Sequence, residues 1–251
     1  MNKVETIKYV HLQNEVDTGI KLIKKGLAEL QQISGSNDFY YAPIIFISNG
    51  FEKLMKCIIC YYEKEKNGRF PNSRYIQDVG SAKNQNKGRG HNLFELLQEI
   101  IVISKKMYYG QSEATKKDLN FLLSDTQLHK IINILSDFAQ GGRYYNLDKV
   151  TDGNSKFDDP EDKWMYLETE IATYEGILED MVKNSKKNDE YYKIINLSLI
   201  VCLEKFARAL SRLFTLSELG QEAKGCTGFV SNFLFMMDKD LGKKAYPLII
   251  S

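Results

Sequence analysis

Val16-Asp17-Thr18-Gly19-Ile20-Lys21-Leu22-Ile23-Lys24-Lys25-Gly26-Leu27-Ala28-Glu29-Leu30 places Val16, Ile20, Ile23, Leu27 and Leu30 at alternating spacings of four and three. At 3.6 residues per turn these share one helical face, with Lys21, Lys24 and Lys25 outside it. Ser34-Gly35-Ser36-Asn37 then interrupts the pattern, and Pro43 suits the first turn of a second helix, where a backbone N–H has no partner to lose. Ile47, Phe51, Leu54, Ile58 and Tyr62 mark that helix's inner face, so two antiparallel helices joined by a short turn are expected.

The same periodicity recurs outward from this pair. Leu93, Leu96, Leu97, Ile100 and Ile101 follow Asn92, and Leu128, Ile131, Ile132, Leu135 and Phe138 follow Asp125, a good N-cap, in a segment that stops at Gly141-Gly142. Asp159-Pro160 reads as a cap with proline at the first helical position, opening a pattern through Trp164, Leu167, Ile171, Ile177, Leu178 and Met181. Residues 190–216 are apolar on most sides and predict a central helix, and a shorter one carries Phe233 to Met237. Residues 66–90 and 148–160 lack periodicity and read as long irregular stretches, the first a mobile or functional loop; 220–228 reads as a further loop. No strand alternation appears. The expectation is an all-α multi-helix bundle of about seven helices, with one unit over 1–150 and additional helices over 151–251 packed on the same body.

Composition narrows the function classes. Thirty-four basic against thirty-three acidic residues leave a net charge of +1, so no global field favours nucleic acid or an anionic membrane, and such a partner would need a local patch. The first residues lack an apolar signal core and no apolar run is long enough to span a bilayer, which points to a cytoplasmic protein with no membrane partner. Cys57 and Cys60 form a C-x-x-C inside an apolar helical pattern with no second pair, and read with Cys202 and Cys226 as core residues. No metal set or cofactor motif is expected: Gly88-x-Gly90 lacks the third glycine and the strand of a dinucleotide fingerprint, Val150 spoils a calcium-like loop over 148–159, and His129 has no companion ligand.

Three stretches carry a resemblance when taken in order: Gly50-Phe51-Glu52-Lys53-Leu54-Met55-Lys56, Gly90-His91-Asn92-Leu93, and Gly142-Arg143-Tyr144. Together they resemble HEPN domains over roughly residues 5–150. That resemblance implies a helical bundle, often dimeric, acting as a metal-independent ribonuclease or a nucleotide-binding module in bacterial toxin–antitoxin and phage-defence systems. In the family's nuclease motif an arginine precedes a histidine by a few residues. The arginine stabilises charge developing on phosphorus and the histidine moves the 2′-hydroxyl proton. Here Arg143 takes the arginine's place, but Asp148 stands where the histidine would, and no other arginine has a histidine at that spacing. The motif is broken.

The candidate catalytic set is therefore Arg143, His91 and Asp148, with Lys87, Arg89, Tyr144 and Tyr145 as candidate phosphate or RNA contacts. Each has a plainer reading. Arg143 can cap a helix C-terminus or pair with Asp148, and the two tyrosines can simply pack. His91 or Asn92 can cap a helix, whereas Lys87 and Arg89 between glycines would suit a phosphate at a helix start. Glu52 and Lys56 read as a solvated i,i+4 pair. The sequence thus supports an RNA- or nucleotide-directed protein of a bacterial stress or defence system, with a homodimer and an antitoxin or other protein partner in view. The reading from a different class is a non-enzymatic helical interaction module.

Overall fold

The computed structural model describes residues 3–81, 90–107, 109–151 and 157–248. Twelve α-helices and no strand occur among these residues, so the protein is an all-α multi-helix bundle. Its foundation is the antiparallel pair α1 (Lys3–Leu30) and α2 (Tyr41–Asn67), the most extensive helix–helix contact in the bundle. All ten apolar residues assigned to their inner faces are buried. Close approach depends on glycine. A Cβ at Gly26 would lie 2.4 Å from Ile47 Cγ1, and one at Gly50 would lie 2.9 Å from both Gly19 O and Ile23 N. Helix backbones this near leave no room for a side chain between them.

Three further helices, α3 (Ser73–Val79), α4 (Leu93–Lys106) and α5 (Glu113–Ser124), precede α6 (Thr126–Gln140). Helices α4 and α6 pack on α2 and on each other. Asn92 and Asp125 are the N-caps of α4 and α6, accepting from Glu95 N at 3.0 Å and Leu128 N at 2.8 Å. A 3-10 turn over Gly142–Tyr144 leads into α7 (Tyr145–Thr151). Then come α8 (Pro160–Tyr174) with Asp159 as its cap, α9 (Leu178–Lys183), the long α10 (Asn188–Leu216), α11 (Gln221–Lys224) and α12 (Thr227–Leu234). Helix α10 runs through the centre, touching α1, α2, α5, α6, α8, α11 and α12, and one hydrophobic cluster joins both halves of the chain.

Several expectations are corrected. The stretch 66–90 begins inside α2 and contains α3, and 148–160 begins inside α7. Helix α5 falls where no helix is expected, started by a Ser112–Thr115 capping box. The pattern from Trp164 to Met181 breaks at Gly176, whose φ of 70° ends one helix and separates α9 from it. Residues 220–228 include α11, and the last helix ends at Leu234, so Met237 lies beyond it.

Two buried polar networks lock the second half onto the first. Asp118 on α5 meets Arg208 at 3.4 Å and Arg212 at 2.8 Å, both on α10, and accepts from the Tyr109 hydroxyl at 3.1 Å. Arg208 continues to Asp238 at 2.7 Å. Beyond α12 the chain returns to α1. Glu204 accepts from Gly242 N at 2.6 Å and the Tyr246 hydroxyl at 2.7 Å, while Gln31 accepts from Tyr246 N at 2.9 Å and donates to Lys244 O at 2.7 Å.

Candidate functional site

The corner after α6 is built by glycines. Gly142 is buried, and a Cβ there would lie 3.0 Å from both Asp137 O and Pro160 Cγ; at Gly141 it would lie 2.7 Å from the Phe157 ring. The chain therefore turns tightly beneath α8 and presents Arg143 and Tyr144 outward. The Arg143 guanidinium sits 5.1 Å from the Tyr144 ring centroid, within cation–π range. Arg143 makes no ion pair with Asp148 or any other described carboxylate, so the pairing offered as its plainer role is not formed among the described residues. A small pocket lies beside it, lined by Tyr40, Tyr41, Phe138, Arg143 and Tyr145 together with Asp159 and Glu161. Tyr145 is half-buried there, with Lys149 Nζ 5.3 Å from its ring.

His91 belongs to a different place. Its Nδ1 lies 3.0 Å from both carboxylate oxygens of Glu52 on α2, and Lys56 Nζ lies 2.7 Å from Glu52 Oε1. Glu52 is buried, and the imidazole is half-exposed. The solvated Glu52–Lys56 pair is thus corrected to a buried carboxylate shared by an ammonium and a histidine. The signal was present: Glu52 falls between Ser48 and Met55 on a second stripe of α2, and both of those are buried. A carboxylate on Nδ1 fixes the ring's orientation and, in the Nδ1–H tautomer, leaves Nε2 as the free acceptor. The capping role open to His91 is taken by Asn92. Ser136 Oγ donates to Asn92 Oδ1 at 3.0 Å and accepts from Leu93 N at 3.1 Å, tying the start of α4 to α6.

Arg143, His91 and Asp148 are not drawn into one cluster. Tyr41, which shares the Arg143 pocket, and Glu52, which holds His91, are separated on α2 by a rise of about 16 Å. No hydrogen bond or ion pair links the three among the described residues. Asp148 sits inside α7, where its carbonyl accepts from Thr151 Oγ1 at 3.4 Å. Lys87 and Arg89 lie outside the described residues. The described residues on either side of them are held together: Gly90 N donates to Ser81 Oγ at 3.1 Å and Asn92 N to Gly80 O at 3.0 Å. Gly90 has a φ of 83°, a left-handed conformation that favours glycine.

The remaining expectations are simply placed. All four cysteines are free, and burial pushes the Cys60 thiol up to about 11 and raises the Cys57 thiol as well, so the C-x-x-C sits as packing rather than as a reactive thiol pair. His129 Nε2 lies 2.9 Å from Leu122 O. Among the described residues no cluster of histidine, cysteine and carboxylate side chains could hold a metal, and no helix is long and apolar enough to cross a membrane. No family model, curated protein or solved structure matches this chain.

Proposed function

We propose that the protein is an RNA- or nucleotide-directed binding protein of a bacterial stress or defence system, engaging its ligand through the Arg143 corner without cleaving it. The observation that carries this reading is an exposed guanidinium, unpaired among the described residues, flanked by aromatic rings. Such a corner suits a phosphate on the arginine and a base against a ring. Binding is preferred to cleavage because His91 is held by Glu52 well away from Arg143, and because Asp148 as an anion would repel the phosphates that a histidine would tolerate.

The test measures fluorescence anisotropy of labelled single-stranded RNA and of nucleotides against the parent protein and Arg143→Ala, with a metal-free cleavage assay in parallel. Saturable binding that Arg143→Ala weakens, without cleavage, supports the reading. Equal affinity of the two proteins, or no binding by either, overturns it. A second reading, a helical protein-interaction module, is favoured by one feature: Tyr144, Leu147 and Val150 are exposed at successive intervals of three along the turn and α7. Light scattering with Leu147→Glu tests self-association through that stripe, and a mass unchanged from the parent's would count against it.

A further inference from the structure

The histidines of this protein sit in different settings. His11 is exposed on α1, and His129 Nε2 is engaged by Leu122 O at 2.9 Å. His91 differs from both in having a carboxylate on its ring. Both oxygens of the buried Glu52 lie 3.0 Å from Nδ1, while the His91 side chain is 52% exposed. Its Nε2 has no hydrogen-bond partner among the described residues.

The backbone fixes the ring as well. Gly90 takes a φ of 83°, and a Cβ at Gly80 would lie 2.7 Å from Gly90 O, so two stretches of main chain touch just before His91. Just after it, Asn92 caps α4, donates from its backbone to Gly80 O and accepts from Ser136 on α6. A ring braced on both sides keeps its Nε2 lone pair aimed in one direction, which a merely solvated histidine does not require.

An imidazole with a carboxylate on Nδ1 is an activated nucleophile, because the cation formed by bonding at Nε2 is stabilised where it arises. Two further features favour an anionic group at that nitrogen. Lys56 Nζ lies 2.7 Å from the same Glu52 Oε1 that His91 approaches, so an ammonium stands beside the ring and balances the Glu52 charge. His91 also directly precedes the N-cap of the 14-residue α4, the positive end of that helix. A phosphoryl group is an electrophile that carries negative charge, and so meets all three conditions. A proton or an uncharged acyl group uses only the first.

We propose that His91 is a phosphorylation site, taking a phosphoryl group on Nε2 from a donor of the phosphoramidate class. The Nε2–P bond forms as the donor's P–N bond breaks. The electron pair of that bond leaves on the donor nitrogen, and the Nδ1 proton stays on the ring against Glu52. One P–N bond replaces another, so no second co-reactant is needed. Glu52 is here a positioning residue, and Lys56 neutralises the group transferred. The site is independent of the Arg143 corner.

The experiment incubates the full chain with potassium phosphoramidate, quenches in alkali and follows phosphate on each histidine by mass spectrometry. It is repeated with Glu52→Gln and Lys56→Gln, each compared with the parent by circular dichroism. The expected result is an acid-labile phosphate on His91 that forms about tenfold or more faster than on the exposed His11. Glu52→Gln should slow His91 by about tenfold and leave His11 unchanged, and Lys56→Gln should slow it by a smaller factor. His11 is a reference within the same chain, so the parent alone decides the matter if a variant misfolds. Equal rates at His91 and His11 in the parent, no phosphate on His91, or a rate that a folded Glu52→Gln leaves unchanged overturns the proposal.

Discussion

Asp118 is buried and Glu168 partly withdrawn from water, and the protein treats the two carboxylates in opposite ways. Asp118 is surrounded by two guanidinium groups and a tyrosine hydroxyl, and joins α5 to α10. Glu168 faces the Tyr40 hydroxyl and the Trp164 N–H, with no cation among the described residues beside it. Burial of a charge is tolerable when the fold supplies the counter-charge, and where it does not, the group shifts toward its neutral form. Asp118 is thus held beside fixed positive charge, whereas Glu168 is pushed toward its neutral form.

Four measurements sharpen or break that contrast. The largest effect is expected from Asp118→Ala, which takes the carboxylate from Arg212, leaves Arg208 with Asp238 alone and should remove about 3 kcal/mol in chemical denaturation; a loss under about 1 kcal/mol would show that the arginines relax to other partners. A purely steric change gives the scale. Gly50→Ala places a Cβ against the backbone of α1 and should destabilise by about 2 kcal/mol, the overpacking penalty exceeding the gain in helix propensity.

Glu168→Gln should act in the other direction, and only at higher pH. The unfolded carboxyl ionises near its ordinary 4.5 and the folded one near 7, so folding retains a proton between these values. The stability of the parent protein therefore falls as pH rises from 4.5 to 7 and stays at its lower level above that. The groups facing Glu168, namely Tyr40, Trp164, Asp38 and Tyr192, supply no positive charge to oppose this. Glutamine removes the dependence, so melting temperatures should match at pH 4 and favour the variant at pH 8 by about 1–2 kcal/mol, a value reduced for partial solvent screening. Equal melting at both values would place Glu168 among ordinary surface carboxylates. Last, Arg143→Ala should change stability by less than about 0.5 kcal/mol, since its side chain is exposed and unpaired among the described residues. A larger loss would make Arg143 a structural residue and weaken its assignment to a ligand.

How legible these features are depends on what each helix buries. Helices α1, α2, α4, α6 and α10 bury long apolar stripes, and the stripes are visible as periodicity. Helices α3 and α7 bury no residue, so they leave no apolar stripe to read. Helix α5 buries Thr115, Asp118 and Leu122, a helical spacing in which two of three residues are polar; its inward face is written in hydrogen bonds and ion pairs. The candidate site divides in the same way. Asn92 and the Gly141-Gly142 stop follow from local capping chemistry. The partnership of Glu52 with His91 joins residues 39 apart, and the approach of Tyr40 to α8 spans more than a hundred. Local pattern contains neither.

The return of Tyr246 to Gln31 has a kinetic meaning. The hairpin of α1 and α2 closes over a short turn, whereas this contact joins residues 215 apart. Loop-closure entropy and the general slowness of distant contacts place it late in folding. Until then Gln31, Glu204 and the Phe233 ring stand without the segment of Lys244 and Tyr246 that covers them in the mature protein, so a chain caught before this closure would expose a strip that it later covers itself.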